Sequence, residues 1–178
     1  MVKAAKFMVL VAGLMGLIAF FLPFLSAESQ GKSASISAFQ AVKGIDTALD
    51  ATEQAAAAGN ATAETKSASS EIAEVVNKVK AFLYAMYAPA LLLFLFGIIG
   101  VVKKKFGRGL AVLSLLLGLV ALGFWALLFM AAGEANKDAT GSDVKVALGL
   151  GVHLLLGTGI LGFLGGIINT VKPDRGFM

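Results

Sequence analysis

Four stretches of the chain are apolar on every side of a helix, and polar segments separate them. They run from Phe7 to Leu25, Ala81 to Val102, Leu110 to Ala132 and Ala147 to Ile168, lengths of 19, 22, 23 and 22 residues, and none contains Asp, Glu, Lys or Arg. A helix rises 1.5 Å per residue, so about 20 residues cross the roughly 30 Å of hydrocarbon in a bilayer. The pattern predicts four transmembrane helices. The chain then divides into a first helix with its N-terminal lead (1–25), an outer segment (26–80), a second helix (81–102) and a basic loop (103–109). A third helix (110–132), a short outer loop (133–146), a fourth helix (147–171) and a tail (172–178) complete it. Lys3 and Lys6 ahead of the first run, and Leu25-Ser26-Ala27 after it, also outline a secretory signal. The run exceeds the usual apolar core of about 7–15 residues, which favours an uncleaved anchor.

Within 26–80 the apolar positions keep a helical period. Ala38, Val42, Ile45, Leu49 and Ala56 form one stripe, and Lys43, Asp46, Asp50 and Glu53 lie on the other face. Ser35 or Ser37 is placed to cap this helix. Gly59-Asn60 marks a break, and Ala61 to Ser69 reads as a polar loop. Helix resumes near Ser70, where Glu71 and Glu74 suit the positive end of a helix dipole. Ile72, Val75, Val76, Val79 and Phe82 carry the period into the second span. The expectation is a helical hairpin whose second arm extends the second transmembrane helix. Its Ala-rich stripe would rest on that arm, on the bilayer surface or on another subunit. Asn60-Ala61-Thr62 fits a glycosylation sequon, but an exposed Gly-Asn turn is the better reading.

Composition agrees with lipid as the solvent: 58% of the 178 residues are hydrophobic and only 15% charged, against about 45–50% and about 25% in soluble domains. With no cysteine, disulfides and thiolate metal sites are excluded. The charges are sorted by segment. Residues 1–6, 103–109 and 172–178 carry eight Lys and Arg against one Asp, net +7. Segments 26–80 and 133–146 carry seven Lys against ten carboxylates, net −3, and the two make up the formal +4. Basic residues flanking short loops stay on the cytoplasmic side, so both termini are predicted inside. The basic balance is a topology signal and implies no nucleic-acid partner. Lys103-Lys104-Lys105 holds the loop at that side and can touch anionic headgroups.

Few side chains offer chemistry. His153 is the single imidazole, and a polar group inside a span is a functional candidate by position. No other His, Asp or Glu lies in the runs to complete a metal site or proton relay, and a lone His needs only one hydrogen-bond partner. Gly157, Gly159 and Gly162 spell G-x-G-x-x-G without a preceding strand, so a dinucleotide site fails on context. Pro23 and Pro89 are placed to end or kink the first two helices, and Tyr84 and Tyr87 suit the outer headgroup belt. No catalytic set, cofactor or metal is expected.

Glycine is frequent, at 21 residues, and its placement is informative. On a wheel for the fourth span, Ala147, Gly151, Thr158, Gly162, Gly165 and Asn169 fall near one line. Ser114, Gly118 and Ala121, continuing to Trp125, make a similar seam on the third. Helices in lipid associate through close packing over small residues, so the two seams are expected to face each other. The bulky faces, with His153, would then turn to lipid or to a partner. Val42, Ile45 and Leu49 are the matching partner-contact candidates in the outer segment.

The sequence therefore reads as an all-α integral membrane protein with four spans, a helical outer loop between the first two, and both termini cytoplasmic. This arrangement is similar to that of claudin-type and other tetraspan proteins in topology alone; residues 26–80 lack the Trp and cysteine pair of the claudin-type first loop. The Phe20–Leu25 helix exit and the Ala-rich outer loop suggest a bacterial inner (plasma) membrane. The expected function is a non-catalytic scaffold or accessory subunit, self-associating or joined to other membrane subunits. An oligomeric channel or small transporter is the alternative.

Overall fold

The computed structural model describes residues 2–29, 32–57, 63–103, 106–138 and 144–172. Helix α1 (Val2–Phe21) leads into strands β1 (Pro23–Ser29) and β2 (Lys32–Ser37), followed by helices α2 (Ala38–Ala57), α3 (Ala63–Val102) and α4 (Arg108–Asp138). Strand β3 (Val144–Leu148) and helix α5 (Leu150–Val171) complete it. Within these, Glu74–Val102, Arg108–Lys137 and Leu150–Val171 are long and apolar enough to cross a membrane, and Ala5–Phe21 is a shorter apolar helix. The Gly59-Asn60 break, the sequon and most of the tail lie outside the described residues.

Helices α1, α3, α4 and α5 form an antiparallel bundle with the spatial order α3, α1, α5, α4. Each turns a heptad-spaced face inward. On α1 this face is Ala5, Val9, Ala12, Gly16 and Ala19, all buried, while Phe7, Val11, Leu14, Ile18 and Phe21 form the exposed stripe. On α3 it is Leu83, Met86, Ala90, Leu93, Gly97 and Gly100; on α4, Ala111, Ser114, Gly118 and Ala121. Steps of three and four residues make the packing stripe of near-parallel helices. The exposed bulky stripes suit hydrocarbon, where no hydrophobic drive buries them. The turn joining α3 to α4 is pinned from inside. Phe106, between Lys103 and Arg108, is fully buried and joins Val9, Ala12, Leu93 and Ala111 in a core cluster.

A three-stranded antiparallel sheet, ordered β2-β1-β3, covers one end of the bundle. This corrects the all-α reading and the helical-hairpin expectation for residues 26–37. The physical reason is visible in the pairing. Leu25 lies opposite Ile36 and Leu148, and Ala27 opposite Ala34 and Val146. These residues alternate with Ser26, Glu28, Ser33, Ser35 and Ala147, giving one apolar and one polar face. Leu25 and Leu148 pack on the core cluster at that end of the bundle. The first helix ends at Phe21 rather than Leu25 because Pro23 has no N–H to continue it and disfavours helix at Leu22. Likewise Ala147 and Leu148 belong to β3, and Gly149, with extended backbone, caps α5.

Ser37 is the residue that caps α2. Its Oγ accepts from Gln40 N–H (3.1 Å), and Gln40 Oε1 accepts from Ser37 N–H (3.0 Å), a reciprocal capping box. Ser37→Ala is expected to cost about 1 kcal/mol locally. Amide exchange in the first turn of α2 should then run roughly fivefold faster. The helix packs on the chain itself: Val42 is buried with Leu83 and Met86 in one cluster, Ile45 rests against it, and Asp46 pairs with Lys80 of α3. Residues 63–69, read as loop, are helical, so α3 is one helix of 40 residues. Ala, Glu and Lys in that stretch have high helix propensity.

Candidate functional site

The sequence places its candidates in two groups, the small-residue seams and the outer contact residues, and the structure treats them differently. Ser114, Gly118 and Ala121 of α4 are buried, as are Gly151, Thr158, Gly162 and Gly165 of α5. They do not make a single seam. A methyl at Gly118 would meet Phe163 N and stand 2.8 Å from Gly162 C and 2.9 Å from Gly159 O, so here α4 lies directly on the α5 backbone. A methyl at Gly166 would stand 2.6 Å from Leu115 N. Gly151 and Gly165 instead face α1, 2.7 Å from Ala19 O and 2.9 Å from Val9 Cγ2 by the same measure, and Thr158 lies against Gly16. Helix α5 is thus wedged between α1 and α4, with a small-residue face toward each. Ala147, read as part of the seam, is exposed in β3 instead.

Four polar side chains of α4 and α5 bond their own helices, while the buried Tyr87 hydroxyl of α3 donates across to Ala19 O of α1 (3.5 Å). Ser114 Oγ donates to Leu110 O (2.8 Å), Thr158 Oγ1 to Leu154 O (3.0 Å), Asn169 Nδ2 to Gly165 O (3.0 Å) and Thr170 Oγ1 to Gly166 O (2.8 Å). This one-turn back-bonding satisfies the donor where no water is present. Two buried polar atoms, Trp125 Nε1 and Asn169 Oδ1, have no hydrogen-bond partner among the described residues.

His153 sits in the first turn of α5, at the sheet end, because that helix starts at Leu150. It is therefore shallower than a span beginning at Ala147 implies. The imidazole is exposed and borders a cleft of about 330 Å³ with Phe129, Gly133, Asn136, Val146 and Leu148. Val42 and Ile45, expected as partner contacts, are used inside the fold against α3; the Leu49 side chain lies outside the described residues. Tyr84 is exposed, whereas Tyr87, expected in the headgroup belt, turns inward against Phe20, ring centroids 5.1 Å apart. Among the described residues, no three His, Asp or Glu side chains converge on a point that could hold a metal.

Asn136 is a site residue the sequence reading missed. Its Nδ2 donates to Val146 O (2.7 Å) and its Oδ1 accepts from Val146 N–H (2.9 Å). One side chain of α4 thereby takes both backbone groups of an edge-strand residue, and ties α4 to the sheet. The small face of α1 was also missed, although Ala5, Ala12, Gly16 and Ala19 at steps of seven, four and three display it.

Three membrane-length apolar helices packed in a bundle define a multi-pass helical membrane protein. Comparison with known protein families, characterised proteins and solved structures finds no match to this chain.

Proposed function

We propose that the chain is a non-catalytic membrane scaffold or accessory subunit. In this reading α1 is a fourth span, the sheet faces outward, and both termini are cytoplasmic in a bacterial inner membrane. The observation that carries it is the way polarity is spent: Ser114, Thr158, Asn169 and Thr170 bond their own helix backbones, the Tyr87 hydroxyl is taken by Ala19 O of the neighbouring helix, and the helix surfaces meet over small residues. What the chain presents outward is then contact surface, namely bulky helix stripes and the sheet. The close-packed seams favour a filled interior over a solute path, which is why the scaffold reading is preferred to a channel.

Topology is tested with single cysteines in the cysteine-free chain. Cysteines at Glu28 and Gly107 are expected to label from opposite sides of sealed vesicles, Glu28 from outside. Labelling of both from one side would overturn the four-span arrangement. Function is tested by gentle extraction from native membrane and by ion flux in liposomes. A complex larger than one chain and flux at the protein-free background are expected. Selective flux would replace the scaffold reading with the channel.

A further inference from the structure

The sheet has two edges, and the chain treats them differently. On β3 the outward backbone groups of Val146 are both taken by Asn136. On β2, Ser33 to Ile36 are exposed along their length. The direction of the β2 groups follows from the ladder. Gly149 N–H donates to Phe24 O, so even-numbered residues of β1 turn their backbone groups toward β3 and odd-numbered ones toward β2. Leu25 and Ala27 are opposite Ile36 and Ala34, which leaves the N–H and C=O of Ser33 and Ser35 directed away from the sheet. Neither has a further partner among the described residues. An open edge of this kind is a template for another strand.

We propose that β2 is the surface through which two copies of this chain pair, antiparallel across a two-fold axis at Ala34, to form one six-stranded sheet. The proposal rests on the scaffold reading and gives it a specific partner. The placement of Ser33 and Ser35 on either side of Ala34 suits a second copy related by a two-fold axis. With Ser33 opposite Ser35 of the second copy, four hydrogen bonds form and every free group on both edges is met. Ala34 then faces its own equivalent in a non-hydrogen-bonded pair, where Cα atoms approach to about 4.5 Å, and alanine is small enough to stand there. Ile36, 41% exposed, lies on the apolar face two residues from the axis and stands opposite Lys32 of the second copy in this register.

The faces agree with this symmetry. A two-fold that relates paired edge strands runs perpendicular to the sheet, so the apolar faces of both copies look the same way. That face packs on the bundle through Leu25 and Leu148. Both bundles therefore hang from one side of the joint sheet, as two copies in one bilayer require. Two-fold pairing uses the β2 edge of both copies and so closes as a dimer, and at the centre of the β3 edge Asn136 already occupies the outward groups of Val146.

Ala34→Cys, oxidised in membranes, is expected to give a covalent dimer on a non-reducing gel, while the similarly exposed Ala147→Cys on β3 gives none. Ser35→Pro removes an outward N–H and no bond to β1. It is expected to halve the particle mass in lipid nanodiscs, to leave the helix content measured by circular dichroism unchanged and to abolish the Ala34→Cys cross-link. Cross-linking of Ala34→Cys no stronger than that of Ala147→Cys, or an unchanged particle mass for Ser35→Pro, overturns the edge assignment. If the particle then still exceeds one chain, the scaffold reading survives and assembly uses another face. A single chain in every preparation, native extracts included, overturns both.

Discussion

Leucine at Gly118 is expected to force α4 away from α5 and to lower the melting temperature of the purified protein by roughly 10 °C. The neighbours of this glycine are backbone atoms of Gly159, Gly162 and Phe163, which cannot rotate aside, so a whole helix must move. Overpacking typically costs about 1–3 kcal/mol, and unyielding backbone neighbours place this site at the upper end; each kcal/mol is worth about 2–4 °C in a chain of this size. Gly123→Leu is the control: it lies on the same helix, is exposed, and has nothing within 4 Å of an added methyl. It should melt with the parent chain. Gly162 is a gentler test, since its nearest neighbour is the far end of Leu93, Cδ1 at 2.9 Å. Gly118→Ala should therefore destabilise more than Gly162→Ala. Equal losses would remove the close backbone approach from the account of α4 and α5.

Phe106→Ala is expected to cost about 3–5 kcal/mol, the range for deleting a fully buried phenyl ring. The loss should appear in denaturant titration of the protein in mixed micelles. The ring stands against Gly100, where an added methyl would lie 2.9 Å from Phe106 Cε2 and closer still to Cδ2. Gly100→Ala should thus destabilise on its own, yet be nearly neutral, or help, once Phe106 is alanine and the space is empty. Contacting pairs commonly couple by about 0.5–3 kcal/mol. Additive losses would mean that the α3–α4 turn is not pinned by this ring.

Much of the bundle is legible in the sequence because its helices are apolar over 17 residues or more, and length with composition settles such segments. The sheet is not, for a reason particular to its residues. The alternation of Leu25 and Ala27, or Ala34 and Ile36, is short, and the intervening serines and alanines favour no single period. Val144, Val146 and Leu148 alternate more clearly, but they adjoin a long apolar helix and merge with it. The seams are partly visible. Small residues mark which helix faces go inward, yet nothing in α5 alone says that Gly165 meets α1 while Gly162 lies nearer α4 and α3. That depends on which helices are neighbours. Asn136 is ten residues from Val146 in sequence and carries no motif; its role exists only once the strand edge is in place.

The shortness of α1 has a consequence for the bilayer itself. Its apolar part, Ala5–Phe21, spans about 25 Å at 1.5 Å per residue, less than the roughly 30 Å of an average hydrocarbon core. In the four-span reading the bundle sets two thicknesses at once, since the apolar run of α4, Leu110 to Ala132, spans about 35 Å and exceeds that core. Lipid beside α1 must thin, while α4 must tilt or stand proud. The protein then sits in an uneven collar of lipid, and it is least strained where the membrane is thin.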